Sequence, residues 1–320
     1  MKKIAYGMLV LLLVATAVTA GAQGYPAKPV RVIVPFAPGG GVDFTTRLLG
    51  QYLAEPLGQQ VLVDNRPGAG GTVGTEIGMK SPPDGYTLTM VSSSYPVLPS
   101  LYKLSFDPIA DIAPIVLVAK TPFVITVHPS FPAKTVKELI AIAKARPGQI
   151  NFASAGTGSG VHLATELFMH QAGVRMNHVP YKGTGPALTD TISGQVTLLF
   201  GSVVASLPHV RSGRLRALAV TSAQRSAAVA DIPTVAESGL PGYEVLDWSS
   251  LLAPRGTPPS VVDRLNGDVR KVLAQKEVVE RLQQNGLAPG GGAPDQLLDM
   301  IRREMGMWRK VVAAAGIKAN

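Results

Sequence analysis

Two glycine-rich turns carry the clearest chemical signal in this sequence. The first, Phe36–Asp43, follows a short apolar run and contains three consecutive glycines. The second, Ser154–Gly160, adds serine and threonine hydroxyls to its glycines. A glycine-rich turn that opens a helix presents backbone amides at the positive end of the helix dipole. Two such turns facing one cleft would bind a small anion, most simply a carboxylate.

The backbone and hydroxyl groups of these turns are the predicted carboxylate donors. The amides belong to Gly39–Gly41 and Gly156–Ser159, and the hydroxyls belong to Ser154, Thr157 and Ser159. For each turn, close packing of a helix against a strand is the structural alternative. Asp43 falls in a first helical turn, where an acid more often caps the helix than contacts a ligand. His162, just inside the second helix, is a structural histidine by default and a ligand contact in the alternative.

Other kinds of site find little support. The five histidines form no i, i+4 pair and no HExxH motif, and the absence of cysteine excludes disulfides and thiol chemistry. Ser159 lacks the flanking glycines of a nucleophile elbow, because Thr157 and Val161 occupy those positions. Basic residues are scattered singly, which is not typical of a nucleic-acid surface. We expect no catalytic residues, no metal, no cofactor and no nucleic-acid partner.

The N-terminus predicts export. Lys2 and Lys3 precede an apolar run over residues 4–17, and Ala20-Gly21-Ala22 follows as a small-residue cleavage site. Residues 1–22 are therefore predicted to be a signal peptide, with a free periplasmic protein as the product. A retained membrane anchor is the alternative, although the run is shorter than the roughly 20 residues that a spanning helix needs. The formal net charge is +9, or +7 without Lys2 and Lys3.

Short β-branched runs alternate with helical stretches and predict an α/β fold with parallel, helix-covered sheets. The predicted strands are Arg31–Val34, Val61–Val63, Thr87–Val91, Val124–Val127, Asn151–Ala153 and Ala217–Thr221. Thr135 and Glu138 form a capping box at the start of one helix. Thr257 is the predicted cap of another, which starts at Pro258 or Pro259. The last helix is predicted from about Pro294 to Ala315.

The length predicts two domains, because about 300 residues exceed one comfortable core. No linker separates two sequential domains, so we expect the chain to cross between them twice, at 121–129 and 243–253. The predicted boundaries place residues 23–122 and 249–320 in one lobe and 123–248 in the other. Such a double crossing makes a hinge with a cleft between the lobes.

Several further segments, in order along the mature chain, resemble the Bug-type receptors of tripartite tricarboxylate transporters. The resemblance begins at Tyr25–Pro29 and continues into Val34–Asp43. It extends through Asp64–Gly71, Pro83–Tyr86, Ala153–Ser159 with His162-Leu163, His178–Gly183, Leu215–Thr221, Asp231–Val235 and Leu252–Pro254. It implies a type II-like periplasmic binding protein, with two Rossmann-like lobes that close on a small carboxylate. It also implies a monomer that docks transiently on integral membrane transporter subunits.

The resemblance also implies ligand contacts, carried over position by position. In the first turn they fall on Phe36, Ala37, Pro38, Gly39, Gly40, Gly41, Val42 and Asp43. In the second they fall on Ser154, Ala155, Gly156, Thr157, Gly158 and Ser159, followed by His162. A third contact region aligns with Ser92, Ser93 and Ser94, and a fourth with Tyr181, Lys182 and Gly183. Gly201 and Ser202 complete the predicted set.

Two departures from the family pattern bear on the ligand. Gly201 and Ser202 stand where many members carry an acid that can face the ligand, and Ser249-Ser250 replace a bulky aromatic after Trp248. Both changes favour a dicarboxylate or an aromatic carboxylate over an amino acid. A periplasmic receptor for a signalling partner is the alternative function, and a periplasmic hydrolase is a more distant one.

Overall fold

The computed structural model describes residues 24–318, so the predicted signal peptide lies outside the described residues. The strands are β1 (Val30–Val34), β2 (Val61–Asn65), β3 (Thr87–Ser92), β4 (Ile112–Val127), β5 (Asn151–Ser154), β6 (Asn177–Pro180), β7 (Leu198–Ser202), β8 (Arg216–Val220), β9 (Leu246–Pro254) and β10 (Ala288–Gly291). The helices are α1 (Gly41–Leu57), α2 (Thr72–Met79), α3 (Leu98–Leu101), α4 (Val136–Ala145), α5 (Gly160–Ala172), α6 (Thr184–Ile192), α7 (Val203–Arg211), α8 (Pro259–Leu273), α9 (Lys276–Gln284) and α10 (Pro294–Ala315).

The long strand β4 joins two groups of strands. The main path runs β2-β1-β3-β9-β4-β7-β5-β6, with β8 and β10 also paired to β4. Up to Pro122, β4 pairs with β9 and β10, and from Phe123 onward it pairs with β7 and β8. One strand therefore belongs to both groups. The first group contains β1, β2, β3, β9 and β10 with the beginning of β4, and the second contains β5, β6, β7 and β8 with its end. Helices cover each group as in other α/β folds.

The sheets are mixed, which corrects the prediction of parallel sheets. Parallel pairing holds for β1 with β2 and β3, and for β5 with β6 and β7. In contrast, β4 is antiparallel to β7, β8, β9 and β10, and β3 is antiparallel to β9. Every antiparallel pair involves β4 or β9, the two strands in which the chain crosses between the groups. No crossover helix connects either strand to a strand that it pairs with.

The predicted elements occur close to their expected positions. All six predicted strands are present, with the Val124–Val127 segment forming only the end of β4. The Thr135–Glu138 capping box is confirmed at the start of α4, and α10 spans the predicted residues. The prediction that Thr257 caps a helix is wrong. Its hydroxyl donates to the Pro254 carbonyl at 2.8 Å, and α8 begins at Pro259 without a side-chain cap.

Large buried side chains link the helices to the second group of strands. Phe168 on α5 packs edge-on against Phe200 on β7 with ring centroids 5.5 Å apart, and it also contacts Tyr243. The Tyr243 hydroxyl donates to the Ala164 carbonyl at 2.7 Å, so the buried phenol keeps a hydrogen-bond partner. Within residues 24–318, no helix combines the length and apolar composition that a membrane span requires.

We propose that the two groups of strands are the cores of two lobes. The first crossing then lies between Pro122 and Phe123, where β4 changes partners. The return crossing lies near Leu246, which pairs with Pro122, because the Val245 amide still donates to the Thr221 carbonyl at 2.9 Å. This places the return about three residues before the boundary predicted from sequence.

The capping box predicts a measurable stability loss at α4. We expect Thr135→Ala to lower the free energy of unfolding by about 0.5–2 kcal/mol, because the Glu138 amide loses its side-chain acceptor. Urea unfolding measures the change. Lys137→Ala, at an exposed position of the same helix, is the control and should change stability by no more than about 0.5 kcal/mol. Equal losses in both variants would contradict the capping role.

Candidate functional site

A buried cavity lies between the two groups of strands. Residues predicted as ligand contacts supply much of its lining: Phe36, Gly40, Gly41, Val42, Asp43, Ser92, Ala155, Ser159 and Ser202. Residues that sequence reasoning did not select as contacts supply the rest: Phe123, Gly160, Val161, Thr184 and Asp247. The space open to water-sized groups is about 30 Å³, which is room for two or three water molecules. The site therefore has little free space in this arrangement.

Four helices begin at this cavity. Gly41 opens α1, Gly160 opens α5, Thr184 opens α6, and Ser202 is the residue before α7. The first amides of a helix have no acceptor within the helix, so each start presents unsatisfied donors and the positive end of a dipole. The arrangement can hold an anion without any basic side chain.

Glycine at two of these starts permits the close approach. An ideal Cβ on Gly41 would lie 3.0 Å from the Ser202 Cβ, and one on Gly40 would lie 3.4 Å from the Thr184 Cβ. A side chain at either position would therefore enter the space between α1 and the starts of α6 and α7. The glycines of the first turn bring backbone amides, rather than side chains, to the cavity.

Asp43 holds the first turn in place. Its carboxylate accepts the Gly39 amide at 3.1 Å, Arg47 Nε at 3.0 Å and Asn65 Nδ2 at 3.0 Å. Burial, the largest single effect, raises the pKa of Asp43, but these hydrogen bonds together hold it below its usual value. Asp43 therefore stays ionised and uses the Gly39 amide internally. Of the three predicted donors in this turn, only Gly40 and Gly41 reach the cavity.

Two stacked histidines hold the second turn from behind. The Gly158 amide donates to His162 Nδ1 at 3.1 Å, so this nitrogen is unprotonated. Ser154 Oγ accepts the Gly156 amide at 3.0 Å and lies 2.6 Å from His178 Nε2. The two imidazole rings stack with centroids 4.0 Å apart.

This network corrects the predicted donor set of the second turn. The amides of Gly156 and Gly158 and the Ser154 hydroxyl are used inside the turn and do not reach the cavity. The Ser159 hydroxyl caps α5 by accepting the His162 amide at 3.3 Å, and its residue lines the cavity. Thr157 lies outside the lining. His162 has the structural role that was its default interpretation.

The remaining predicted contacts lie around the cavity rather than in its lining. The Ala37 amide donates to the Lys182 carbonyl at 3.0 Å, and the Tyr181 hydroxyl donates to Asp190 at 2.7 Å. Residues of the lining hold two predicted serines, because Ser93 donates to Asp247 and Ser94 bonds Ser92. Residues that neither line the cavity nor bond a lining residue include Pro38, Tyr181, Lys182 and Gly201.

Gly201 does not occupy the position expected of a ligand-facing residue. An ideal Cβ there would meet the Ser206 hydroxyl on α7 and Leu199, not the cavity. The neighbouring Ser202 faces the cavity instead. The absence of an acid at position 201 therefore has no direct effect on the lining.

Close contacts join each glycine-rich turn to residues of the other strand group. A Cβ on Gly185 would overlap the Pro38 carbonyl oxygen, and one on Gly70 would overlap the Thr157 carbonyl oxygen. The Tyr102 hydroxyl also donates to the Thr157 carbonyl at 2.8 Å. We call these contacts, with the Ala37–Lys182 hydrogen bond, the seam. Each joins a residue of the first strand group to a residue of the second.

Asp247 is the most informative residue that the sequence analysis missed. It is 9% exposed and accepts the Ser93 hydroxyl at 2.6 Å. Burial raises the pKa of its carboxyl, against the opposing effect of hydrogen bonds from Ser93 and the Trp248 amide. An acid inside an apolar crossing segment is a signal that could have been noticed. Within residues 24–318, no cluster of three or more His, Asp or Glu side chains suits a metal ion.

The seam predicts that one methyl group opens the molecule. We expect Gly185→Ala to fold normally but to remain open, because its Cβ overlaps Pro38 only in the closed arrangement. Small-angle X-ray scattering should show a larger radius of gyration than in the unchanged protein. Gly267→Ala, at a helical glycine of α8 with nothing within 4 Å, should leave the radius unchanged. A compact Gly185→Ala protein would contradict the seam.

The histidine stack predicts a loss of stability in acid. Burial and the neighbouring His162 lower the pKa of His178 to about 3, below its value of about 6.5 when unfolded. Between these values the unfolded chain binds more protons, so the contribution is complete above about pH 6.5 and falls as the pH decreases. His178→Gln keeps an acceptor for Ser154 but cannot titrate. We expect urea unfolding at about pH 7.5 and pH 5 to show a smaller pH effect in this variant. An equal effect would contradict this assignment.

Comparisons with known proteins agree with this geometry. The sequence pattern of the tripartite tricarboxylate transporter family receptor matches residues 45–317. Protein BugT of Bordetella pertussis is 41% identical over 300 residues, which are 93% of this chain and 92% of BugT. Two solved structures, of periplasmic binding protein BugD and of R. palustris Rpa4515 with adipate, each match with a TM-score of 0.89. Their sequences are 35% and 36% identical to this one, and each match covers 92% of this chain and 100% of the other.

These matches confirm the predicted α/β binding-protein fold, and the family match includes the second turn and the starts of α5, α6 and α7. A family pattern over most of the chain, together with relatives above 30% identity along nearly their whole length, leaves one assignment. The chain belongs to the tripartite tricarboxylate transporter receptor family, the family of periplasmic Bug-type solute receptors.

Proposed function

We propose that the protein captures a small carboxylate in the periplasm and delivers it to the membrane subunits of a tripartite transporter. The ligand carboxylate lies at the convergence of the four helix starts. Amides of Gly40 and Gly41 on one side, and of Gly160 and Val161 on the other, are the donors that we assign to its oxygens.

The observation that carries this proposal is an unpartnered hydroxyl at the helix starts. Ser202 is 3% exposed and lines the cavity, and its Oγ has no hydrogen-bond partner among the described residues. A buried polar group without a partner is uncommon and costly. A ligand oxygen between α1 and α7 would supply the missing partner.

The electrostatics of the cavity suit a ligand that must later be released. No lysine or arginine is among the described residues that line it. Each helix end contributes about 0.3–2 kcal/mol toward an anion, depending on burial. Several ends together with hydrogen bonds reach about 8 kcal/mol, which corresponds to micromolar binding.

Closure follows from the same geometry. A space of about 30 Å³ cannot admit a carboxylate from outside, so we propose that the ligand enters with the lobes apart and is buried as the seam forms. Closing brings surfaces of both lobes together, and we propose that this composite surface is what the membrane subunits recognise. The similar Rpa4515 structure with adipate supports a carboxylate as the ligand.

The sequence-based preference for a dicarboxylate or an aromatic acid rested partly on position 201. Since a side chain there would not face the cavity, its glycine neither enlarges the pocket nor removes an acid from it. The acid that does line the cavity together with Asp43 is Asp247. The proposal is therefore a small carboxylate, and the second functional group of the ligand is a separate question.

Two buried serines test the proposal, one in the cavity lining and one outside it. The hydroxyls of Ser202 and Ser206 are both buried and without hydrogen-bond partners within residues 24–318, but of the two only Ser202 lines the cavity. We expect Ser202→Ala to weaken carboxylate binding about tenfold, since a hydrogen bond to a charged group contributes about 1.5–3 kcal/mol. We expect Ser206→Ala to bind with unchanged affinity.

Thermal shifts against mono-, di-, tricarboxylates and amino acids would first find a ligand, because a ligand of the folded state alone raises the melting temperature. The protein is unfolded, dialysed and refolded beforehand to remove retained ligand. Isothermal titration calorimetry then compares the two serine variants. The proposal is wrong if no compound raises the melting temperature, or if both variants lose the same amount of affinity.

A further inference from the structure

Asp247 brings a negative charge into a cavity otherwise built for an anion. It lies at the start of β9 and pairs with Thr121 of β4, where the chain crosses between the two strand groups. The residue is 9% exposed and belongs to the cavity lining. An acid at such a position needs a physical explanation, because burying a carboxylate without a partner is strongly unfavourable.

The hydrogen bonds of Asp247 use only one of its two carboxylate oxygens. Oδ1 accepts the Ser93 hydroxyl at 2.6 Å, the Trp248 amide at 2.9 Å and the Ser93 amide at 3.3 Å. Amide N–H groups can only donate, so Oδ1 remains an acceptor. None of these three donors reaches Oδ2. They fix the orientation of the carboxylate while leaving its second oxygen available.

The surrounding charges do not neutralise Asp247. The other acid of the lining, Asp43, is paired with Arg47 at 3.0 Å. A further acid, Glu304, accepts the Trp248 indole N–H at 2.9 Å and so lies beyond that side chain. Since no lysine or arginine is among the described residues of the lining, a second carboxylate on the ligand would add negative charge without a cation. A cationic group on the ligand would remove the imbalance.

Asp247 also lies beside one of the helix starts. An ideal Cβ on Gly160, the first residue of α5, would be 3.6 Å from Asp247 Oδ1. The amides at this start are among those assigned to the ligand carboxylate. A cation that reaches Asp247 must therefore lie within a few ångströms of that carboxylate. An α-amino acid has this spacing, because its amine and carboxylate share one carbon atom.

We propose that the carboxylate this protein binds is an α-amino acid, with its protonated amine donating to Asp247 Oδ2. This rests on the proposed function, since the helix starts must hold the carboxylate. Ser93 acts as a positioning residue that orients Asp247, and Ser202 remains the partner of a carboxylate oxygen. Burial raises the pKa of Asp247, and a nearby ammonium group would counter that effect.

Matched pairs of compounds test the amine directly. Isothermal titration calorimetry on the exported, purified and refolded protein compares L-alanine with propanoate, L-aspartate with succinate, and L-glutamate with glutarate. We expect at least one amino member to bind about tenfold or more tightly than its amine-free partner. L-Malate, with a hydroxyl in place of the amine of aspartate, separates a hydrogen-bond donor from a cation and should bind more weakly than aspartate.

Asp247→Asn then isolates the carboxylate. Asparagine keeps an oxygen for the Ser93 and Trp248 donors but places a neutral amide where Oδ2 was. We expect affinity for the preferred amino acid to fall about tenfold or more, with affinity for its amine-free partner unchanged or improved. Asp263→Asn removes one negative charge at an exposed position of α8 and should change neither affinity.

The outcomes separate this inference from the proposed function. The amino-acid inference is wrong if an amine-free acid or malate binds the unchanged protein at least as tightly as the amino acid. The proposed function, a carboxylate receptor, stands in that case. Binding of none of the seven compounds overturns the amino-acid inference, whereas the proposed function fails only if the wider thermal-shift panel is also flat. Equal losses for both members of a pair in Asp247→Asn show a purely structural role and also overturn the inference. The comparison in the unchanged protein decides the question even if that variant fails to fold.

Discussion

Close approach of backbone to backbone across the seam is the constraint on which the site depends. The Gly185 and Gly70 positions lack side chains where carbonyl oxygens of the opposite strand group come within overlap distance of a Cβ. At Gly185 this contact brings the start of α6 next to Pro38, just before α1, so that both helix starts face the same small space. A side chain at the seam would separate the helix starts, and their dipoles would then act on an anion singly instead of together.

Under the proposed function, helix starts suit the release of the bound carboxylate better than basic side chains would. A guanidinium is already charged when the cleft is open, whereas amides at four helix starts act together only when the helices converge. Binding and closure are then one event, since the ligand experiences the full field only in the closed arrangement. Hydrogen bonds such as Ala37 to Lys182 add directly to that closed state.

The sequence allowed the fold and the position of the site to be predicted, but not the assignment of individual donors. The two glycine-rich turns that contribute to the cavity lining could be recognised from sequence, because the backbone requirement for glycine is local. The use of the Gly158 amide by His162 was not visible, because it depends on a side chain folding back onto its own turn. Thr184 and Asp247 join the site only through tertiary contacts between distant segments. Strand direction failed for a similar reason, because β4 and β9 serve two groups at once.

The two crossing strands also carry side chains into the cavity, and this links recognition to the hinge. Phe123 begins the part of β4 that pairs with β7, and Asp247, near the start of β9, pairs with Thr121 two residues earlier on β4. Both residues line the cavity at the place where the chain passes between the strand groups. A ligand held there contacts the helix starts of both groups and the strands that connect them. If the two groups are lobes that move about this crossing, as we propose, neutralising Asp247 changes the energy of the hinge itself. A ligand that lacked the matching group would still be attracted to the helix starts, but closure over it would leave a buried charge unpaired. Discrimination would then be set by how completely the cleft closes, not by whether the ligand can enter.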